Sequence, residues 1–189
     1  HPSMKGGVMA HIDMDRVNRV LDNLEPQHAD AQLLINDPWS IYYLSGYHAE
    51  MYERFAGLLI ARDQEPVFFN NALYPMESYD NARVLIHEDT DDVADVLSAV
   101  IDPTRELGID AKMRCGFLLP LQERKAASGY FLGSHAVTAA RTYKDPREQE
   151  LMRASSKAND AVMLEAVKLV HEGVTEIEIA DQLLNLYRD

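Results

Sequence analysis

What most limits the fold is a change of hydrophobic pattern at Tyr143-Lys144-Asp145-Pro146. Ahead of it apolar residues come in short runs closed by turn-forming residues, and after it they recur at helical spacing. Short runs read as buried strands alternating with brief helices, so residues 9–143 are expected to form an α/β layer domain. Residues 144–189 are expected to open a second, helical unit. The 189 residues have room for one good-sized domain and the start of another.

Within the first part, Met14, Val17, Leu21 and Leu24 step by three and four, which predicts a helix ended near Pro26. Leu33-Leu34-Ile35 reads as a strand, followed by a short helix with Asp37 as cap, Pro38 in its first turn and Gly46 at its end. Gly57-Leu58-Leu59-Ile60-Ala61 and Val67-Phe68-Phe69 flank the polar turn Arg62-Asp63-Gln64-Glu65, the pattern of a β-hairpin. A further strand is expected at Arg83-Val84-Leu85-Ile86 and a helix from Val93 to Ile101. Leu107-Gly108-Ile109 and Ala136-Val137 read as strands with a helix from Leu118 to Ser128 between them, giving a mixed sheet flanked by helices.

In the second part Leu151, Ser155, Ala158, Val162 and Leu169 share one face of a helix ended by Gly173. Thr175 and Glu178 have capping-box spacing, Val174 and Ile179 staple spacing, and Ile179, Leu183 and Tyr187 line the apolar side of a second helix. Two striped helices are not stable alone in water, so the unit they begin is expected to be incomplete.

A formal net charge of −13, with 31 acidic against 18 basic residues, repels polyanions and argues against nucleic-acid binding. No apolar run is long enough to span a bilayer. The single Cys cannot form an internal disulfide, and no secretory signal pattern opens the chain, so a cytoplasmic setting is expected. Residues 1–8 carry little pattern and are set aside as a cloning remnant.

Chemistry-bearing residues are sparse. The seven histidines never stand four apart, so no local zinc pair exists. His87-Glu88-Asp89-Thr90-Asp91-Asp92 lacks the Gly and distal Glu of a calcium loop and reads instead as capping for the following helix. Cys115 has no nucleophile motif around it and reads as structural. Trp39, Tyr42, Tyr43 and Tyr47 read as a short helix half packed in a core rather than an aromatic box. There is no phosphate-binding glycine loop and no exposed-serine elbow. The stretch Tyr47 to Phe55, which mixes His48, Glu50, Glu53 and Arg54, fits either a binding loop or a solvated connection.

Ile41-Tyr42-Tyr43-Leu44-Ser45-Gly46-Tyr47 resembles the segment that marks the N-terminal domains of prolidases, aminopeptidases P and creatinases. Glu53-Arg54, Leu58-Leu59-Ile60 and Glu65-Pro66-Val67 follow in the order of bacterial prolidases. Lys144 to Ala154 resembles the family's domain junction, and Gly173 to Ala180 its second helix. The resemblance implies an N-terminal α/β domain followed by two helices of an incomplete pita-bread domain. It also implies a parent Xaa-Pro dipeptidase, a metallopeptidase with two divalent ions (Mn, Co or Zn) bound by two Asp, one His and two Glu.

Those five ligands fall beyond the matched segments, so no catalytic and no metal residue is assigned here, and the fragment is expected to be inactive alone. The resemblance further implies a homodimer acting on proline-containing dipeptides. Its gating loop nominates His48, Glu50, Glu53 and Arg54, with Arg54 and His48 receiving a carboxylate or closing the site while Glu50 and Glu53 orient them or meet the amino group. The alternatives are an aminopeptidase P, a creatinase, or a non-catalytic binding module of the same fold.

Overall fold

The computed structural model describes residues 10–49 and 52–188. They separate into two compact units, one ending at Thr142 and the other starting at Tyr143.

The first unit is built on a six-stranded mixed sheet. Its strands are β1 (Gln32–Ile35), β2 (Gly57–Ile60), β3 (Val67–Asn71), β4 (Arg83–His87), β5 (Leu107–Ile109) and β6 (Tyr130–Leu132), in the order β4-β3-β2-β1-β5-β6. Only β2 runs against the rest, because the β2–β3 hairpin and the antiparallel β1–β2 pair reverse it, while β3–β4, β1–β5 and β5–β6 are parallel. The central strands are apolar at nearly every position because both faces are covered.

Side chains alternate across the sheet. Leu33, Ile35, Leu58, Ile60 and Phe68 pack on α1 (Met14–Asp22), α2 (Pro38–Ser45) and α5 (Ser134–Thr142). Leu34, Leu59, Phe69, Leu107 and Ile109 pack on α3 (Val93–Ser98) and α4 (Cys115–Glu123). Each fully buried side chain of this size contributes about 1.5–3 kcal/mol of burial free energy.

Local signals set the helix ends. Asp13 and Asp37 cap α1 and α2 by accepting from Arg16 N and Ser40 N, and Gly46 closes α2 with φ 71°. Gly133 permits a close approach, since a Cβ there would stand 2.7 Å from Leu33 Cδ2 and 3.2 Å from the Gly108 backbone.

Four expectations need correction. Ala136-Val137 is not a strand but lies in α5, where Ala136, Val137 and Ala140 turn one small apolar face toward α1. The last strand is β6 instead, and its Phe131 stacks on the His28 ring at 3.8 Å. Helix α4 starts at Cys115 and stops at Glu123, because Lys125 takes a positive φ of 51°. The stripe through Ile101 outruns α3, which ends at Ser98 before a turn.

The second unit holds α6 (Pro146–Val167) and α7 (Glu176–Leu186). Each begins with a full capping box, Asp145 with Glu148 and Thr175 with Glu178. α6 ends at Val167, short of Gly173, whose φ of 86° belongs to the connection between the two helices. Val174, Ile179 and Leu183 are half-buried, whereas Tyr187 is largely exposed and donates its hydroxyl to Asn159 Oδ1 at 2.5 Å.

Candidate functional site

The chain leaves β1 toward α2 on one face of the sheet and leaves the adjacent parallel strand β5 toward α4 on the other. Divergent connections of this kind open a crevice at the carboxyl ends of neighbouring strands, the place where open α/β sheets bind ligands. A cleft of about 170 Å³ lies there. Asn36, Asp37 and Pro38 after β1, Lys112, Arg114 and Phe117 after β5, and Ala49, Tyr52, Arg54 and Ala56 ahead of β2 form its walls.

Asp110 holds the two diverging loops together. Only 6% exposed, its Oδ2 accepts the backbone N–H of Asn36 and, at 2.9 Å, that of Asp37. Its Oδ1 accepts from the Ser134 hydroxyl at 3.3 Å, and Ser134 Oγ in turn accepts from Ala111 N at 2.7 Å. Burial pushes the Asp110 carboxyl above the ordinary range, opposed by the amides of Asn36 and Asp37. Asp37 is spent on its own helix, accepting from Ser40 N at 2.9 Å and Ser40 Oγ at 2.8 Å, with Lys112 Nζ 3.8 Å away.

Arg54 is clamped. Its Nε and Nη2 donate to the two oxygens of Asp89 at 2.7 and 2.6 Å, and its Nη1 to Glu53 at 2.5 Å. The guanidinium's hydrogen bonds hold Asp89 down to about 2, and Asp89 in turn raises Arg54 above its ordinary value.

A buried relay backs the clamp. Asn71 Nδ2 donates to Asp89 Oδ1 at 2.9 Å and faces His87 Nδ1 at 3.5 Å. His87 Nε2 lies 2.9 Å from the Phe55 carbonyl, which only accepts, so Nε2 carries the proton and Nδ1 faces Asn71 as acceptor. The chain next to Arg54 is therefore pinned to the ends of β3 and β4.

Residues 16–141 match the family described as the Creatinase/Prolidase N-terminal domain. The chain belongs to that family. An uncharacterized peptidase of Staphylococcus aureus (strain USA300) is 25% identical over 178 residues, 90% of this chain and 48% of the relative. The chain thus spans about half the length of the curated relatives it matches. The crystal structure of the prolidase from Pyrococcus horikoshii OT3 shares the fold with a TM-score of 0.72 at 19% identity, over 92% of this chain and 48% of that one. The isolated creatinase/prolidase N-terminal domain of an X-Pro dipeptidase from Streptococcus pyogenes gives 0.54 at 19% identity, over 67% of this chain and 98% of that one.

In this creatinase/prolidase N-terminal domain the described loop residues His48, Glu53 and Arg54 line different places. Arg54 and Glu53 meet, but His48 lines a separate concavity of about 390 Å³ with Tyr47, Glu77 and Tyr79. The His48 ring stands edge-on to Trp39 at 5.2 Å and to Tyr42 at 6.1 Å. Glu50 lies outside the described residues.

The core reading of the aromatic group holds for Tyr43, buried, and Tyr47, packed edge-on to Phe68 at 5.5 Å. Trp39 and Tyr42 lie on the other half of the helix, 57% and 49% exposed because they share the face of α2 turned away from the sheet. In the acidic stretch, Asp92 caps α3 through Ala94 N and Asp91 accepts from Glu88 N. Asp89 departs from the capping reading by taking Arg54. Cys115 is exposed at the start of α4.

The sequence reading missed Lys112 and Arg114. Two cations closely following an apolar strand, in a chain of net charge −13, were the available signal. Among the described residues no three His, Cys, Asp or Glu side chains converge to hold a metal ion, and no helix is long and apolar enough to cross a membrane. The described residues of this lobe therefore do not fit the divalent pair that the resemblance implies for a parent enzyme.

Proposed function

We propose that this chain is the N-terminal portion of a metal-dependent Xaa-Pro dipeptidase of the cytoplasm, contributing dimerisation and substrate gating to the parent enzyme while being inactive alone. The observation that carries the proposal is the family match over residues 16–141, joined to a fold shared with a prolidase over 92% of the chain. In the parent a divalent pair (Mn, Co or Zn), held by residues other than those described here, would supply the activated water and the polarised scissile carbonyl.

The lobe's own part lies in the segment between α2 and β2. Arg54 is a planar fork suited to a carboxylate, and Glu53 and Asp89 fix its plane. Glu53 is 65% exposed at its side chain, so it is the partner an incoming carboxylate displaces most readily. His48, with Trp39 and Tyr42, forms an exposed aromatic face at the other end of the same segment, suited to a partner subunit.

The test is the complete parent, loaded with divalent metal and assayed on Xaa-Pro dipeptides, longer Xaa-Pro peptides and creatine, with its mass measured by sedimentation. The expected outcome is a dimer that prefers dipeptides and loses that preference when residues 48–54 are shortened. A monomer, a preference for longer peptides or for creatine, or selectivity untouched by the shortened loop would reject the proposal.

A further inference from the structure

We infer that the cleft between the β1 and β5 loops is a binding site of this lobe in its own right, taking a small organic carboxylate on Arg114 and Lys112. Four observations converge on it, and none depends on whether the parent hydrolyses dipeptides.

The first is charge. The chain as a whole carries −13, yet among the described residues this cleft is lined by three cations, Arg54, Lys112 and Arg114, against one carboxylate, Asp37. With acidic residues outnumbering basic ones 31 to 18, this grouping of positive side chains runs against the chain's overall charge.

The second is how those charges are spent. Arg54 is engaged by Asp89 and Glu53, so this assignment rests on the other two cations. The one hydrogen bond described for Arg114 goes from Nη2 to the Tyr52 carbonyl at 2.7 Å, a neutral acceptor, and among the described residues no carboxylate forms an ion pair with it. Lys112 is 84% exposed, and its ion pair with Asp37 Oδ1 is loose at 3.8 Å, too long for a hydrogen bond. Two cations thus have donors to offer at one opening.

The third is size and lining. A volume near 170 Å³ is on the order of the ~150 Å³ cavity that holds a benzene ring, too small for a nucleotide. Phe117, Pro38, Ala49 and Ala56 supply apolar wall for a short carbon body. A bare inorganic anion would leave that wall unused.

The fourth is rigidity. Asp110, on the β5 loop, holds the β1 loop through the amides of Asn36 and Asp37, and the Asp89 clamp fixes Arg54, so less ordering of these groups is left to oppose binding.

The experiment is an amide NMR titration of the 189-residue chain with butyrate, with butyramide as neutral isostere and with inorganic phosphate. Butyrate is expected to give saturable shifts at Asn36, Asp37, Lys112, Arg114 and Phe117, binding about 10-fold tighter than butyramide and weakening as salt rises. Arg114→Gln and Lys112→Gln, both at exposed positions, are each expected to weaken butyrate about 5-fold to 10-fold while leaving spectral dispersion unchanged. Absence of saturable shifts, equal affinity for butyramide, tighter binding of phosphate, or an affinity indifferent to both substitutions would each overturn the assignment.

Discussion

Asp89 accepts from both Nε and Nη2 of Arg54, so protonating it dismantles a clamp that the unfolded chain does not possess. Its folded carboxyl titrates at about 2, below the ordinary value of about 4. The stabilisation is therefore fully present above about pH 4 and is lost as pH falls through about 2. Urea midpoints of the wild type and Asp89→Asn should differ at pH 6 and converge on acidification to about pH 2, and a gap that stays constant would contradict the clamp.

Asp110 has the opposite sign. Its carboxyl is raised by burial, so its charged form costs stability at neutral pH and relief comes as pH falls through the raised value. Removing the side chain is still expected to harm the fold, because Asp110→Ala leaves the buried amides of Asn36 and Asp37 without an acceptor. A loss of about 3 kcal/mol in chemical denaturation is expected, and a change under about 0.5 kcal/mol would show that water replaces the carboxylate freely.

At the scale of elements, the helices that announce themselves locally are the ones legible in the sequence. Asp13, Asp37 and Thr175 each cap the helix they precede, since a cap needs only a side-chain oxygen and an amide two or three residues on. Thr175→Ala is expected to cost about 1 kcal/mol and to lower the helical circular dichroism of the second unit, with Thr175→Ser retaining both. An unchanged spectrum and midpoint in Thr175→Ala would mean that packing of Val174, Ile179 and Leu183 alone holds α7.

Elements fixed by tertiary contact were harder to read. β6 has three residues and is a strand because β5 and the His28 ring hold it there, while Ala136-Val137 is helical because a small face suits the approach to α1. Neither reason is visible in a window of a few residues. The same holds for α4, which carries Pro120 inside it and is ended by the backbone at Lys125.

At the scale of the molecule, the site is less legible than the fold. The sheet's central strands are written as apolar runs, but the cleft is assembled from loops spread between Asn36 and Phe117, and only the opposite departures of β1 and β5 bring them together. Arg54 could be named from its loop, whereas its partner Asp89 lies 35 residues away, in a stretch otherwise given to capping. The helical unit leaves Leu151, Leu164, Val167 and Ile177 exposed, and the proposal that it opens a second domain puts these side chains under the rest of the parent.

The most direct test of the proposed gating role is the steady-state kinetics of the metal-loaded parent on an Xaa-Pro dipeptide, comparing wild type with Arg54→Gln. If Arg54 receives the substrate carboxylate, KM should rise about 10-fold with kcat nearly unchanged, alongside the drop in melting temperature expected from loss of the Asp89 clamp. A KM equal to that of the wild type would contradict the account.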